Sequence, residues 1–120
     1  MKIAIIGSGN LGLSIDKGLV YNNTYTSLYL TKRELNDIKK WEDYKNVKIT
    51  TDNQEAVKNS DIVIFSVQPR QFDGILKEIK GALTDKHVLI SAITGYSIER
   101  MEEKLGVNYP IIRSMPNTAI

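Results

Sequence analysis

The sequence has 120 residues, which suits one domain, and 42% of them are hydrophobic, enough for one core. The formal net charge is +2 and the 16 basic residues are scattered, so charge does not indicate nucleic acid or a membrane surface as a partner. The absence of Cys excludes disulfides and thiolate metal sites and fits a cytoplasmic protein. No apolar run reaches the length of a membrane-spanning helix, and the start lacks a signal-peptide pattern.

The first twelve residues combine a strand, a glycine-rich turn and the start of a helix. Residues 3–6 (IAII) form a short, β-branched apolar run that predicts a buried strand. Residues 7–12 (GSGNLG) then match G-x-G-x-x-G. Apolar side chains at four-residue spacing follow, which predicts a helix from about Asn10 to Tyr21.

Each glycine of this motif has a mechanical task in dinucleotide binding. Gly7 makes the tight turn, Gly9 lets the backbone approach a pyrophosphate, and Gly12 lets the helix pack closely on the strand. The phosphates then lie against free N–H groups at the helix N-terminus. The alternative is a turn that only joins a strand to a helix.

The end of the second strand, residues 27–30, selects between the two nicotinamide cofactors. An NAD site has an acidic residue about 20 positions after the glycines, to hold the ribose 2′-hydroxyl. Here the corresponding residues are Thr31, Lys32 and Arg33. A hydroxyl and two cations suit a 2′-phosphate, so we expect NADP (NADPH) rather than NAD. The alternative is that both cations are only the solvated start of a helix.

The next segment predicts a helix, a strand and a second helix start. A stripe of apolar residues that includes Trp41 predicts a helix from Glu34 to about Tyr44, with Trp41 in packing rather than in ligand binding. Residues 47–50 predict the third strand. Asp52 suits an N-cap, and Glu55, three positions on, can complete a capping box.

Residues 61–65 (DIVIF) are almost wholly apolar, as expected of a parallel strand covered on both faces. The loop 66–69 (SVQP) follows, and loops at the carboxyl ends of parallel strands bind ligands in doubly wound folds. Pro69 suits the first turn of the next helix, which has a clear apolar stripe from Phe72 to Leu83.

Residues 87–91 (HVLIS) predict another buried strand. His87 is the only histidine and begins this strand, away from the carboxyl-end loops, so we expect a surface or edge residue without a catalytic role. A loop of small residues, 92–95, follows. Ser97 can cap the next helix, and Gly106 ends it.

With a sixth strand at residues 110–113, strands and helices alternate throughout. Right-handed crossovers then place helices on both faces of a parallel sheet. We expect an α/β, doubly wound, Rossmann-type fold of about six strands in the order 3-2-1-4-5-6. Residues 1–120 form one dinucleotide-binding domain in this interpretation. The sequence ends just after a strand, inside a Met-Pro-Asn-Thr loop, so we expect an N-terminal part of a longer protein.

Four segments resemble the pyrroline-5-carboxylate reductases, a family that completes proline biosynthesis. Residues 3–12 (IAIIGSGNLG) resemble its glycine loop, and residues 52–69 resemble the stretch leading into its Ala-Val-Lys-Pro loop. Residues 91–95 are similar to its Ser-x-Ala-Ala-Gly loop. Residues 113–118 (RSMPNT) resemble its most specific signature, R-x-M-P-N-T.

This resemblance implies a cofactor site formed by the loops at one edge of the sheet. The site also includes Lys32, as a cation for the 2′-phosphate, and Gly12, as the last glycine of the motif. Asn53, which sequence alone assigns to capping or turn formation, becomes a cofactor contact, and Thr94, Gly95 and Asn117 lie near the nicotinamide. The implied cofactor-binding residues are Ile6, Gly7, Ser8, Gly9, Asn10, Leu11, Gly12, Thr31, Lys32, Arg33, Asn53, Ser66, Val67, Gln68, Pro69, Thr94, Gly95 and Asn117.

The chain departs from the family pattern at three of its positions. Gln68 replaces the usual Lys, which removes a cation near the cofactor. Thr94 replaces Ala and adds a hydroxyl, and Ala119 stands where many members have Pro.

The resemblance implies hydride transfer from NADPH to the C=N carbon of pyrroline-5-carboxylate, giving proline. The family's substrate site and dimer interface lie mostly in a helical C-terminal domain, which this chain lacks. We therefore expect the full-length protein to be a homo-oligomer and this chain to bind cofactor but to reduce substrate poorly. No catalytic residue and no metal ligand is predicted within it.

Three other functions remain open. One is a deazaflavin-dependent NADP reductase with the same N-terminal domain, against which the Met-Pro-Asn-Thr loop argues. Another is a non-catalytic nucleotide-sensing module, which usually has an acidic residue at the end of strand two. The third is a regulatory relative of the reductase that has lost activity.

Overall fold

The computed structural model describes residues 1–7, 25–106 and 109–113, in which six strands form one parallel sheet. The strands are β1 (Lys2–Ile6), β2 (Ser27–Thr31), β3 (Val47–Thr50), β4 (Ile62–Phe65), β5 (Val88–Ser91) and β6 (Ile111–Arg113). Their order is β3-β2-β1-β4-β5-β6, which confirms the predicted doubly wound topology. The predicted helix at residues 10–21 and the loop at 114–118 lie outside the described residues.

The centre of the sheet is apolar because both of its faces are covered. Ile5 of β1 lies opposite Leu30 of β2 and Ile64 of β4. Along β1, Ala4 and Ile6 join the core cluster on one face, and Ile3 and Ile5 join the cluster on the other. This alternation follows from the two-residue period of a strand, whose successive side chains point to opposite faces.

Three α-helices among the described residues pack on the Ala4 and Ile6 face of the sheet. They are α1 (Asn53–Lys58), α2 (Pro69–Ile79) and α3 (Ile98–Leu105). Pro69 begins α2 as predicted, and Ser97 Oγ caps α3 by accepting from the Arg100 N–H at 3.1 Å. None of the helices in the described ranges is long and apolar enough to cross a membrane.

The start of α1 confirms the predicted cap but not the predicted box. Asp52 accepts hydrogen bonds from the N–H groups of Gln54 and Glu55. The Asp52 N–H itself donates to Thr50 Oγ1 at 3.0 Å, in the place that a capping box gives to Glu55. Thr50 therefore completes this helix start from the end of β3.

The helix predicted from Glu34 to Tyr44 is replaced by two 3₁₀ turns, Leu35–Asp37 and Lys39–Trp41. Between them, Ile38 has φ −118° and ψ 2°, which interrupts the helical hydrogen-bond ladder. The Asn and Asp that precede Ile38 favour turns over helix interiors. Ile38 and Trp41, both members of the predicted apolar stripe, are nevertheless buried, because their three-residue spacing also suits 3₁₀ geometry. These turns cover the Ile3 and Ile5 face.

His87 is buried, which corrects the expectation of a surface or edge position. It is 5% exposed, and both ring nitrogens have backbone partners. Nδ1 accepts from the Thr84 N–H at 2.9 Å, so Nε2 carries the hydrogen and donates to the Val57 carbonyl oxygen, also at 2.9 Å. The imidazole thus joins the turn before β5 to α1, and its role is structural.

Candidate functional site

An open cavity of about 1070 Å³ lies at the carboxyl edge of the sheet. Its lining comes from the ends of β1, β2, β4 and β5 and from the adjoining parts of α1 and α2. In this topology the chain changes direction across the sheet between β1 and β4, and ligands of doubly wound folds bind at that point. The cavity therefore lies where doubly wound folds bind their ligands.

Gly7 follows β1 at the base of the cavity and has φ +82°. A Cβ atom at this position would lie 2.1 Å from Val67 Cγ1 and 3.1 Å from the Ser66 carbonyl oxygen. A side chain is therefore excluded both by the left-handed backbone and by the loop after β4. The Gly7 N–H is shared between the carbonyl oxygen and Oγ1 of Thr31, each 3.2 Å away.

The end of β2 adds positive charge to the cavity wall. Thr31 is 1% exposed, with its hydroxyl already accepting from Gly7, whereas Arg33 is exposed. Lys32, Arg33 and Arg70 are the cations among the described lining residues, and Glu78 is the carboxylate. An excess of cations in a concave site raises the local concentration of anionic ligands, phosphates included.

The junction of α1 and α2 closes one side of the cavity. Asn53 Nδ2 donates to Glu78 Oε2 at 3.3 Å, and Gln54 Nε2 donates to the Glu78 carbonyl oxygen at 2.7 Å. Asn53 and Glu78 both line the cavity. This wall presents amide and carboxylate groups, which suit the hydroxyl and amino groups of a nucleoside.

The loop after β4 forms another part of the rim. The Ser66 N–H donates to the Ile6 carbonyl oxygen at 2.9 Å, which continues the β1–β4 pairing one step past the strands. Gln68 is exposed and lines the cavity immediately before α2. Its carbonyl oxygen accepts from the Gln71 N–H at 2.9 Å, which secures the first turn of α2.

The loop after β5 contributes Ala92, Ile93 and Thr94 to the lining. Tyr96, two residues beyond Thr94, is 1% exposed and donates its hydroxyl hydrogen to Asp73 of α2. Burial and the Asp73 carboxylate raise the pKa of Tyr96 to about 12. The hydrogen bond from Tyr96, and then the charges of Arg100 and Lys104, hold the pKa of Asp73 below its usual value.

The cavity brings together most of the predicted site residues that the structure describes. Gly95 lies beside Thr94 but is not part of the wall. Ser8, Gly9, Asn10, Leu11, Gly12 and Asn117 lie outside the described residues. The predicted residues that line the cavity are Ile6, Gly7, Thr31, Lys32, Arg33, Asn53, Ser66, Val67, Gln68, Pro69 and Thr94.

Sequence reasoning missed the contribution of α2. Arg70, Gly74 and Glu78 recur every four residues and line the cavity together with Gln71 and Ile75. This spacing marks one helical face beside the apolar stripe, and it is readable in the sequence once Pro69 is taken as the helix start. The remaining unpredicted wall residues are Thr51, Ala92 and Ile93.

Residues 2–95 match the family described as NADP oxidoreductase, coenzyme F420-dependent. The chain belongs to this family. It is also 44% identical to pyrroline-5-carboxylate reductase 1 of Dictyostelium discoideum, over 98% of this chain and 22% of that protein.

Two solved structures have the same architecture over 98% of this chain. A pyrroline-5-carboxylate reductase from Coxiella burnetii is 32% identical with a TM-score of 0.89, over 44% of its own chain. A pyrroline carboxylate reductase from Plasmodium falciparum with NADP bound is 25% identical with a TM-score of 0.81, over 43% of its chain. The resemblance derived from the motifs is thus confirmed, and the chain spans less than half the length of these relatives.

Proposed function

We propose that this chain is the NADPH-binding domain of an oxidoreductase that reduces 1-pyrroline-5-carboxylate to proline by hydride transfer. The observation that carries the proposal is the cavity at the carboxyl edge of the sheet, with Lys32 and Arg33 where an NAD site has an acidic residue. The likeness to pyrroline-5-carboxylate reductases, one of them with NADP bound, supports both the cofactor and the substrate.

The lining residues suit the successive parts of NADPH. Gly7 makes the tight turn after β1 at the base of the cavity, where the pyrophosphate of the cofactor would lie, and Asn53 offers an amide to a ribose hydroxyl. Arg33, with Lys32 beside it, provides the charge and the forked donors for a 2′-phosphate. The nicotinamide half then extends over the ends of β4 and β5, between the loop 66–69 and Thr94.

The sequence assigns the Thr31 hydroxyl to the 2′-phosphate, whereas in this proposal it stabilises the turn at Gly7. Its buried hydroxyl accepts from Gly7, so its first task is to fix the turn. Recognition of the 2′-phosphate then rests on the two cations that follow. Bound NADPH supplies the hydride, and this chain's residues bind the cofactor and hold its reactive ring in position.

We assign substrate capture and homo-oligomerisation to a helical domain beyond residue 120, and therefore name no catalytic acid or base in this chain. The length of the relatives supports this division, because this chain spans 44% of the Coxiella burnetii enzyme. A cytoplasmic location is also part of the proposal, and it is supported by the absence of cysteine.

A reductase that uses coenzyme F420, a deazaflavin, is the second candidate, since the family description names that coenzyme. The match to this family ends at residue 95, at the close of the loop after β5. The pyrroline-5-carboxylate reductases match over 98% of the chain, a span that takes in α3 and β6. That longer match favours the first candidate.

The test uses the full-length protein that contains this chain, so that the chain works with its own substrate-binding domain and not with one taken from a known reductase. NADPH oxidation is followed with pyrroline-5-carboxylate and, separately, with oxidised coenzyme F420. We expect turnover with pyrroline-5-carboxylate only. A full-length protein that binds NADPH but reduces coenzyme F420 instead would establish the second candidate, and one that binds no nucleotide would contradict both.

A further inference from the structure

We propose that the hydrogen bond from Tyr96 to Asp73 positions the loop after β5, residues 93–95, against the cavity and thereby sets affinity for the nicotinamide half of the cofactor. Tyr96 and Asp73 do not line the cavity, so both are positioning residues. The inference rests on the proposed function, because it concerns the same cavity and the same cofactor.

A column of three aromatic rings holds Tyr96 in place. The centroids of Tyr96 and Phe72 are 4.6 Å apart, and those of Phe72 and Phe65 are 4.9 Å apart. Phe65 ends β4, Phe72 belongs to α2, and both are fully buried. The Tyr96 ring therefore anchors the loop to two elements that also form the cavity wall.

The polar end of Tyr96 is fixed separately from its ring. One carboxylate oxygen of Asp73 accepts the Tyr96 hydroxyl hydrogen, and the other accepts from Arg100 Nη2 at 3.0 Å. Arg100 also places its guanidinium carbon 4.6 Å from the centre of the Tyr96 ring. Asp73 thus joins α2 to the loop and to the first turn of α3, which restricts the hydroxyl to one orientation.

This fixation reaches the cavity through the immediate neighbours of the two residues. Gly74, next to Asp73, and Thr94, two residues before Tyr96, both line the cavity. Thr94 and Gly95 are exposed, and Gly95 has φ +81°, so the tip of the loop has no buried side chain of its own. Ile93 before the tip and Tyr96 after it both lie in the core, so Thr94 is held between two buried side chains, of which Tyr96 is the one fixed by a polar contact to α2.

The topology determines which half of the cofactor lies near this loop. The ribose phosphate of the adenosine half lies at the end of β2, on one side of β1. The loop follows β5, which lies on the other side, beyond β4. A displaced loop therefore disturbs the nicotinamide half and leaves the adenosine half in place.

The experiment compares two ligands on the 120-residue chain. NADPH has both halves, and adenosine 2′,5′-bisphosphate has the 2′-phosphate but no nicotinamide. In Tyr96→Phe the ring packing remains and the hydrogen bond is lost, so we expect NADPH to bind roughly threefold to tenfold more weakly and the bisphosphate to bind unchanged. Tyr25→Phe is the control, because Tyr25 is also buried but belongs to the cluster on the other face.

A second pair of variants separates positioning from stability. Asp73→Asn keeps an acceptor for the Tyr96 hydroxyl and is expected to retain most of the NADPH affinity. Asp73→Leu removes the acceptor, and its loss of NADPH affinity should equal that of Tyr96→Phe. Equal weakening of both ligands, or no weakening of NADPH, in Tyr96→Phe would overturn this inference alone. Failure of the unchanged chain to bind NADPH would overturn the proposed function and this inference with it.

Discussion

The backbone N–H of Gly7 points at two oxygens of Thr31, its carbonyl and its hydroxyl, each 3.2 Å away. The contact joins the turn after β1 to the last residue of β2 at the base of the cavity. Since Thr31 is 1% exposed, the first role of its hydroxyl is to accept this hydrogen bond within the protein, ahead of any contact with a ligand. In the proposed function, recognition of a phosphate is therefore assigned to the charged residues that follow.

Thr31→Val tests this assignment, because it keeps the shape of the side chain and removes the acceptor. We expect the free energy of unfolding to fall by about 1 kcal/mol, the net value of one hydrogen bond. Urea unfolding measures this loss. NADPH and NADH affinities should change by the same factor. Selective loss of NADPH binding would mean that the hydroxyl contacts the 2′-phosphate directly.

Gly7→Ala should be among the most destabilising single changes in the described residues. The left-handed backbone costs about 1–2 kcal/mol and the clash with Val67 adds about 1–3 kcal/mol. Gly95→Ala is the matched control, since Gly95 also has positive φ but a Cβ there would meet nothing within 4 Å. Unfolding by denaturant should give the larger loss for Gly7→Ala, and equal losses would contradict the described contact with Val67.

His87→Ala leaves the Thr84 N–H without its imidazole partner and removes one donor from the Val57 carbonyl oxygen, which still accepts from the Ser60 N–H at 3.2 Å. We therefore expect the free energy of unfolding to fall by about 2 kcal/mol. His87→Gln can still place an amide donor near Val57 and should lose less. The same unfolding assay compares the two variants. Nitrogen chemical shifts of the unchanged imidazole should also show the hydrogen on Nε2, and a hydrogen on Nδ1 would contradict the described pair of contacts.

The stabilising effect of Tyr96 should depend on pH at the alkaline end. Folding raises the pKa of Tyr96 from 10.0 to about 12, so the unfolded chain loses this proton first. The contribution is therefore complete below pH 10 and is lost as the pH rises towards 12. The difference in unfolding free energy between the unchanged chain and Tyr96→Phe should shrink over that range, and a constant difference would contradict the raised pKa.

Asp73 should have the opposite dependence. Its folded pKa is lowered from 3.8, first by the Tyr96 hydrogen bond and then by the charges of Arg100 and Lys104. Its contribution is present above that unfolded value and is lost as the pH falls through the folded one. Carboxyl signals followed by NMR should show the pKa of Asp73 below 3.8, and Tyr96→Phe should raise it towards that value, because the Tyr96 hydrogen bond is the largest cause of the shift.

The sheet was predictable from sequence because its strands are short apolar runs with turn residues at both ends. All six predicted strands lie within one residue of the observed bounds, and the strand order follows from right-handed crossovers. The segment after Arg33 was not predictable in the same way. Its apolar stripe fits an α-helix and a pair of 3₁₀ turns equally well, and only the backbone at Ile38 distinguishes them.

Tertiary contacts account for the remaining differences. Nothing local to His87 reveals that Val57, 30 residues earlier, provides a carbonyl for its ring. In the same way the Gly7 motif predicts a turn, but the acceptor on Thr31 lies 24 residues away. The side of α2 that lines the cavity could have been predicted from its four-residue spacing, whereas the contact between Asp73 and Tyr96 becomes visible only in the packed structure.

Recognition of the 2′-phosphate by Arg33 can be tested by equilibrium titrations of NADPH and of NADH on this chain and on Arg33→Ala, all at equal salt. We predict that the unchanged chain binds NADPH at least about tenfold more tightly, a difference of roughly 1.4 kcal/mol. Arg33→Ala should lose most of that preference and keep its affinity for NADH. Tighter binding of NADH would contradict the proposed preference for NADPH, and a preference that survives Arg33→Ala unchanged would contradict the role of Arg33 in binding the 2′-phosphate.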